Sequence, residues 1–366
     1  MANELWRVPQ IARHYLTQDG QRYSALEVNR GCNRDCSYCN VPAQYNREEE
    51  LTVDETFQQV DWLYDNGFRL LSLLGGEPLA PFKTKEEIPF AEHTLRVVDH
   101  ATQKGMAVNV ITNGDYVTRD TIQALRHAGL DSLSFSLHTY TQNGLKHLLR
   151  GAHMAAEEGI IPTITAVFTS KRADQFPGLA AEVAKNGILF GFGIVQEKGG
   201  GFSTRPKDSL IPTVDQQKDV FRAFLRLKTF GMIRNNKRYM TDIPNYPNNS
   251  WTCNSNTDTF VHLGAGGRVN VCTDVRTNYT IADIPLLSES QEWRDTKRVR
   301  VDNCGNCTYS CYYEADNPYI GGDLPMYGVM ALIKNGNAHL AEKWGQFAVG
   351  MSKRLEKQVN WELQLS

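Results

Sequence analysis

The sequence predicts an α/β fold, a parallel sheet of six strands covered by helices. Three observations carry this. Between residues 50 and 196, five segments repeat one plan: a helix-like stretch, a glycine, then an apolar run. They recur at intervals of about 24–38 residues, the length of a strand–helix unit. One further strand-like run, Ala25 to Val28, precedes the first helix. Alternation of this kind implies parallel strands with helical cover. Six units are too few for a closed eight-stranded barrel. An open partial barrel and a doubly wound sheet both satisfy the pattern.

The elements follow in order. Phe57, Val60, Leu63 and Tyr64 have helical spacing, and Gly67 ends that helix before the strand Leu70 to Leu74. Gly105 precedes the strand Met106 to Ile111, and Gly129 precedes Leu133 to Leu137. Gly159 comes before Ile161 to Phe168, and Gly187 before Ile188 to Val195. Glycine suits the left-handed position just past a helix. Beyond residue 196, Lys198 to Gly201 reads as a loop. Thr213 and Gln216 form a capping box that starts a helix running to about Phe230. Asn235 to Ser250 is rich in Asn and Pro and reads as a linker. Residues 251–320 hold five cysteines and little helical signal, and about Pro325 to Leu365 is mostly helical.

Composition excludes several classes. With 39 basic and 41 acidic residues the net charge is −2, and no basic face for nucleic acid is expected. No apolar stretch is long enough to span a membrane. The first residues lack a basic region followed by an apolar one, so a cytoplasmic protein without a signal peptide is expected. Eight cysteines in such a chain favour metal or redox chemistry over disulfides.

Cys32, Cys36 and Cys39 form the first cysteine group, on a loop just after the first strand. Ligands gather at the carboxyl ends of strands in parallel α/β folds. Three thiolates at spacings of four and three hold three irons of a cubane cluster and leave the fourth iron open. A zinc site is the competing reading. It would want a fourth protein ligand, and the nearest histidine is His14.

Cys-x3-Cys-x2-Cys with Tyr38 before the third cysteine resembles the signature of radical S-adenosylmethionine (AdoMet) enzymes. The resemblance covers residues 25 to about 197. It implies a (β/α)6 partial TIM barrel, a catalytic [4Fe–4S] cluster on Cys32, Cys36 and Cys39, and AdoMet chelated by the open iron. Reduction then cleaves the sulfonium and yields a 5′-deoxyadenosyl radical that abstracts a substrate hydrogen. Tyr38 matches the aromatic position near the adenine. Gly75, Gly76, Glu77 and Pro78 resemble the element that binds the methionyl ammonium. Asn113, in Thr112-Asn113-Gly114, matches a cofactor-facing position, although an Asn-Gly turn is an equal reading. Ser136 and His138 resemble the positions that contact ribose and carboxylate, with His138 standing where relatives often carry an acid. Ile194, Val195 and Gln196 either pack on adenine or belong to the core.

The second cysteine group is Cys253, Cys272, Cys304, Cys307 and Cys311, with Gly267 five residues before Cys272. It resembles the auxiliary-cluster domain called SPASM, or its shorter form, twitch. Cys253 and Cys272 would flank a hairpin turning at Gly264, Gly266 and Gly267. Five cysteines, against about seven in the full pattern, imply one further [4Fe–4S] cluster. Which four of the five bind it stays open, and a zinc ribbon is the competing reading. Cys304 to Glu314 also resembles a short element of adenosyl hopane synthase-like radical enzymes, which keeps carbon–carbon bond formation among the possibilities. Tyr309, Tyr312, Tyr313, Tyr319 and Tyr327 make an aromatic patch, read as a substrate pocket or as ordinary burial.

The resulting expectation is a partial barrel over 1–200, a bridging helix and linker over 201–250, an auxiliary-cluster region over 251–320 and a helical tail over 321–366. The function expected is oxidation or maturation of a small molecule or peptide. A low-potential electron donor such as flavodoxin or ferredoxin would serve it. A non-catalytic iron–sulfur electron carrier is the alternative of another class.

Overall fold

A computed structural model describes residues 22–36, 39, 50–195, 210–245, 251–273, 275–304, 308–316 and 324–363. Six parallel strands run in chain order across one sheet: β1 (Tyr23–Asn29), β2 (Leu70–Gly75), β3 (Ala107–Thr112), β4 (Ser132–Leu137), β5 (Ile161–Phe168) and β6 (Leu189–Ile194). Between them lie α1 (Val53–Asp65), α2 (Phe90–Gln103), α3 (Arg119–His127), α4 (Gln142–Glu157) and α5 (Phe176–Lys185). The five glycines anticipated at helix ends all take left-handed φ, from 70° at Gly187 to 88° at Gly105.

Strand alternation divides the sheet into two faces. Leu26, Leu71, Leu73, Val108, Val110, Leu133, Phe135, Ile164 and Phe190 are buried on the helix side. The opposite face is mixed, with a polar row among apolar residues such as Leu70, Leu74 and Ile111. There Tyr23, Ser72, Asn109, Ser132 and Ser134 hydrogen-bond to one another in a chain. The sheet is thus an open (β/α)6 partial barrel with an apolar jacket and a polar row along its inside.

Two further strands, β7 (Phe260–Gly264) and β8 (Arg268–Asn270), form the expected hairpin. It turns through 265–267, where Gly266 and Gly267 both take φ of 71°. Its place differs from the expectation of a separate cysteine-rich unit. β7 pairs in parallel with β1, from Tyr23 opposite Phe260 to Leu26 opposite Leu263, and extends the barrel sheet to eight strands.

The region after β6 departs from the sequence reading. α6 (Val214–Thr229) has the predicted Thr213–Gln216 capping box. The presumed linker instead holds a short helix, α7 (Lys237–Asp242), capped by the Asn236 side chain on Tyr239 N. The cysteine-rich region contains α8 (Gln291–Asp302) and α9 (Ser310–Asp316). α9 spans the barrel's open side. Its Tyr312 ring lies 4.0 Å from that of Phe260 on β7, while Glu314 accepts from Asn236 N (2.9 Å) beyond β6. The tail forms α10 (Leu324–Lys334) and α11 (Ala338–Leu355). α11 lies so close to α5 that a Cβ on Gly345 would stand 1.7 Å from Ala184 O.

Candidate active site

The strands' carboxyl ends collect most of the described candidates. β1 loses regular register with β2 between Glu27 and Asn29, and the chain turns into the cysteine loop. Cys32, Cys36 and Cys39 are each half-buried on that loop, with Cys39 N donating to Cys36 O (3.0 Å). Burial raises the Cys32 thiol pKa above its ordinary value. Cys32 Sγ accepts from Arg34 N (3.4 Å) and lies 4.0 Å from Asn113 Nδ2. Tyr38 and Gln196 lie outside the described residues.

The Gly75–Pro78 turn meets the cysteine loop backbone to backbone. Gly76 N donates to Asn29 O (3.0 Å) and Glu77 N to Gly31 O (2.8 Å). A Cβ on Gly76 would stand 2.1 Å from Gly31 O, so this position has no room for a side chain. Pro78 is buried, and its carbonyl accepts from Thr94 Oγ1 (2.8 Å). Glu77 is fully buried. Its carboxylate accepts from Thr112 Oγ1 (2.6 Å), Asn113 N (2.6 Å) and Leu79 N (3.0 Å). Burial raises its pKa, and these three bonds pull it back. Glu77 therefore locks the β2 and β3 loops together.

Asn113 joins the same assembly. Its Nδ2 donates to Asn33 Oδ1 (2.8 Å), and its Oδ1 accepts from Asp115 N (2.9 Å). It forms a turn and faces the cysteine loop at once. His138, at the end of β4, places Nδ1 3.4 Å from Cys36 Sγ. Burial, with Arg34 nearby, lowers its pKa to about 4, so the ring is neutral near pH 7. Ser136 is half-buried on the inner face, paired with Thr165 on β5. Ile194 and Val195 are buried, which fits the core reading.

Two site contributors were not anticipated. Asp115 accepts from Asn33 Nδ2 (2.7 Å) and Arg34 Nε (2.8 Å) and forms an ion pair with Arg34 NH2. It ties the cysteine loop to the β3 end. Its one sequence signal is an acid directly after Thr112-Asn113-Gly114 at a strand end. Glu27, facing inward on β1, is buried among Arg30 Nε (3.3 Å), His262 Nε2 (3.4 Å) and Arg276 NH2 (3.6 Å). This charged cluster lies between the first cysteine loop and the loop after Cys272.

The second cysteine group also converges. Cys253, Cys272 and Cys304 line one pocket with Trp251, Val271, Val275 and Val301. Cys311, on α9, is within electrostatic reach of Cys253. Burial pushes Cys253 and Cys311 up to about 12. Cys307 lies outside the described residues. Tyr312 and Tyr313 are buried against Phe260 and Trp251, which agrees with ordinary burial. Among the described residues, no three His, Cys, Asp or Glu side chains are already drawn together closely enough to hold a metal ion. The first group fits iron–sulfur ligation by donor type and placement, three soft thiols on one loop at the sheet's carboxyl edge; in the second, Cys253, Cys272 and Cys304 share a pocket and Cys311 stands on α9. No helix among the described residues is long and apolar enough to cross a membrane.

Residues 26–165 match the model of the Radical SAM superfamily. The PqqA peptide cyclase of Bradyrhizobium diazoefficiens is 24% identical over 208 residues, 54% of this chain and 52% of that one. The chain spans about half the length, or less, of the curated relatives it matches. Streptococcus suis SuiB bound to AdoMet has the same fold, with a TM-score of 0.57 at 15% identity, over 81% of this chain and 71% of that one. Native anSMEcpe, solved with AdoMet and the Cp18Cys peptide, gives a TM-score of 0.53 at 13% identity, over 91% and 99%. The stretch from β1 to β5 that carries the cysteine loop, the Gly75–Pro78 turn and Asn113 is a domain of the radical SAM superfamily.

Proposed function

We propose that the protein is a radical SAM enzyme acting in the oxidation or maturation of a small molecule or peptide. One observation carries the reading: the Cys32 loop, the Gly75–Pro78 turn and Asn113 are bound into one assembly at the strands' carboxyl ends through Glu77. Cys32, Cys36 and Cys39 would hold a [4Fe–4S] cluster that, with AdoMet on its open iron, supplies one-electron reductive cleavage of the sulfonium. Gly75 and Gly76 bring bare backbone to the cofactor. Ser136 and His138 border it on the β4 side, with Tyr38 and Gln196 assigned to its adenine end. The barrel walls exclude water and stray hydrogen donors. Cys253, Cys272, Cys304 and Cys311 are the ligands proposed for a second cluster, with Cys307 as the alternate. The peptide cyclase relative and the peptide-bound anSMEcpe structure support a peptide substrate on equal terms with a small molecule.

The test is cofactor cleavage under dithionite. Anaerobically reconstituted protein should release 5′-deoxyadenosine from AdoMet, and Cys36→Ala should release none. Normal release by that variant would remove the first cysteine group from the reaction.

A further inference from the structure

We propose that the inside of the barrel, below the cysteine loop, is an oxyanion site anchored by Arg234, so that the substrate presents a carboxylate or phosphate there. The assignment of that interior as the reaction chamber rests on the function proposed above; the anion site itself rests on the following geometry.

Arg234 follows α6 and is held from several sides. Its N donates to Phe190 O on β6 (2.8 Å), and Phe190 N donates to Met232 O (3.0 Å). Lys228, only 1% exposed, donates Nζ to Ile233 O (3.0 Å) and Arg234 O (3.4 Å). Asn235 exchanges two bonds with the Phe192 backbone, of 2.9 and 3.0 Å. A buried lysine and a buried asparagine therefore fix one residue's backbone.

The side chain then crosses the inner face of β6. Gly191 lies beneath it on β6, where an added Cβ would crowd Thr165 Cγ2 (2.9 Å) and would only touch Arg234 Cβ (3.8 Å). Arg234 NH1 donates to Ser134 Oγ (2.8 Å), its one side-chain hydrogen bond among the described residues. The next groups inward are neutral: Asn109, Ser72 and Tyr23, linked in series. Among the described residues no carboxylate pairs with Arg234. Glu27 is engaged by Arg30, His262 and Arg276, and Glu314 by Asn235 and Asn236.

A guanidinium has five N–H donors in a planar fork, and this one is half-buried, bonded to a neutral hydroxyl, while the nearby Glu314 carboxylate is taken up by Asn235 and Asn236 instead of pairing with it. Withdrawing a cation from water without a counter-charge is costly. The fork matches a carboxylate or phosphate in two-point contact. Ser134 lies two residues before Ser136 on the same face of β4, so the site sits about 7 Å deeper than the proposed AdoMet contacts.

The test uses the full chain, anaerobically reconstituted and with AdoMet present, in buffers matched for ionic strength with chloride. Phenylglyoxal labelling of arginines is followed by mass spectrometry, with inorganic phosphate or succinate as the probe. At saturating probe, labelling of Arg234 should slow by about tenfold, as occupancy demands, while surface Arg119 should label unchanged. The more protective probe names the preferred oxyanion. Arg234→Gln should lose the saturable thermal stabilisation by that probe, and Arg234→Lys should keep part of it. Equal labelling of Arg234 with and without both probes overturns the proposal, whether or not the variants fold. AdoMet cleavage is assayed on the same wild-type preparation. Protection without cleavage would sink the proposed function alone, and cleavage without protection the anion site alone.

Discussion

Glu77 gives its two carboxylate oxygens to three buried donors from the β2 and β3 loops. Removing it strands those donors, and each bond to a charged acceptor is worth more than a neutral one. Glu77→Ala should therefore destabilise the cofactor-free protein by about 3 kcal/mol, read as a shift in denaturant midpoint at constant slope. Glu77→Gln, which keeps one acceptor oxygen, should lie between. An unchanged Glu77→Ala midpoint would show that the tie is not formed in solution. At this scale the sequence was informative where function needs a local motif. Gly75 to Pro78, Asn113 and the first cysteines are contiguous strings with recognisable chemistry. The pair of Arg34 and Asp115 was hidden because its members are 81 residues apart and meet only once β1 and β3 share a sheet. Arg234 was hidden for the same reason, since its partner Ser134 is 100 residues away.

α1 and α2 meet through His93, whose Nε2 lies 3.0 Å from Thr56 Oγ1. Burial lowers the His93 pKa to about 4, with Glu86 opposing and Arg96 reinforcing the shift. The unfolded chain takes up this proton near the ordinary histidine pKa of about 6.5, before the folded one does. The contribution is intact above that pH, falls as pH drops towards 4 and is constant below. Its full size is on the order of 3 kcal/mol. The stability difference between wild type and His93→Gln should therefore shrink from pH 7 to pH 4.5. A difference independent of pH would mean that His93 takes up its proton as readily in the fold as in the unfolded chain. Helices with a clean apolar stripe and a terminal glycine were legible, as with α1 to α5. α8 was not, because it buries only Trp293, Lys297 and Val301 on an otherwise polar helix. One of those three is a lysine, anchored by Asp258 (3.2 Å) and the Thr257 carbonyl.

Across the whole molecule, the hairpin flanked by Cys253 and Cys272 is part of the barrel sheet, and α9, with Cys311, stands across the barrel's open side. Pairing of β7 with β1 was not readable from the sequence, because the strand midpoints, Leu26 and His262, lie 236 residues apart along the chain and nothing local encodes the neighbour. On the function proposed above, this placement would set the second cysteine group beside the reaction chamber, where an electron acceptor for substrate would belong. Cys272→Ala should leave AdoMet cleavage largely intact and abolish product. Normal turnover by that variant would make the second group structural and favour carbon–carbon bond formation over oxidation.

In the proposed function, Cys32, Cys36 and Cys39 would hold a cluster whose open iron takes AdoMet. Electron–nuclear double resonance on the reduced protein tests it most directly, with AdoMet labelled by ¹⁷O in its carboxylate. The account predicts an ¹⁷O coupling to the cluster in the wild type and none in Cys36→Ala. No coupling in the wild type, or an undiminished one in the variant, would contradict it.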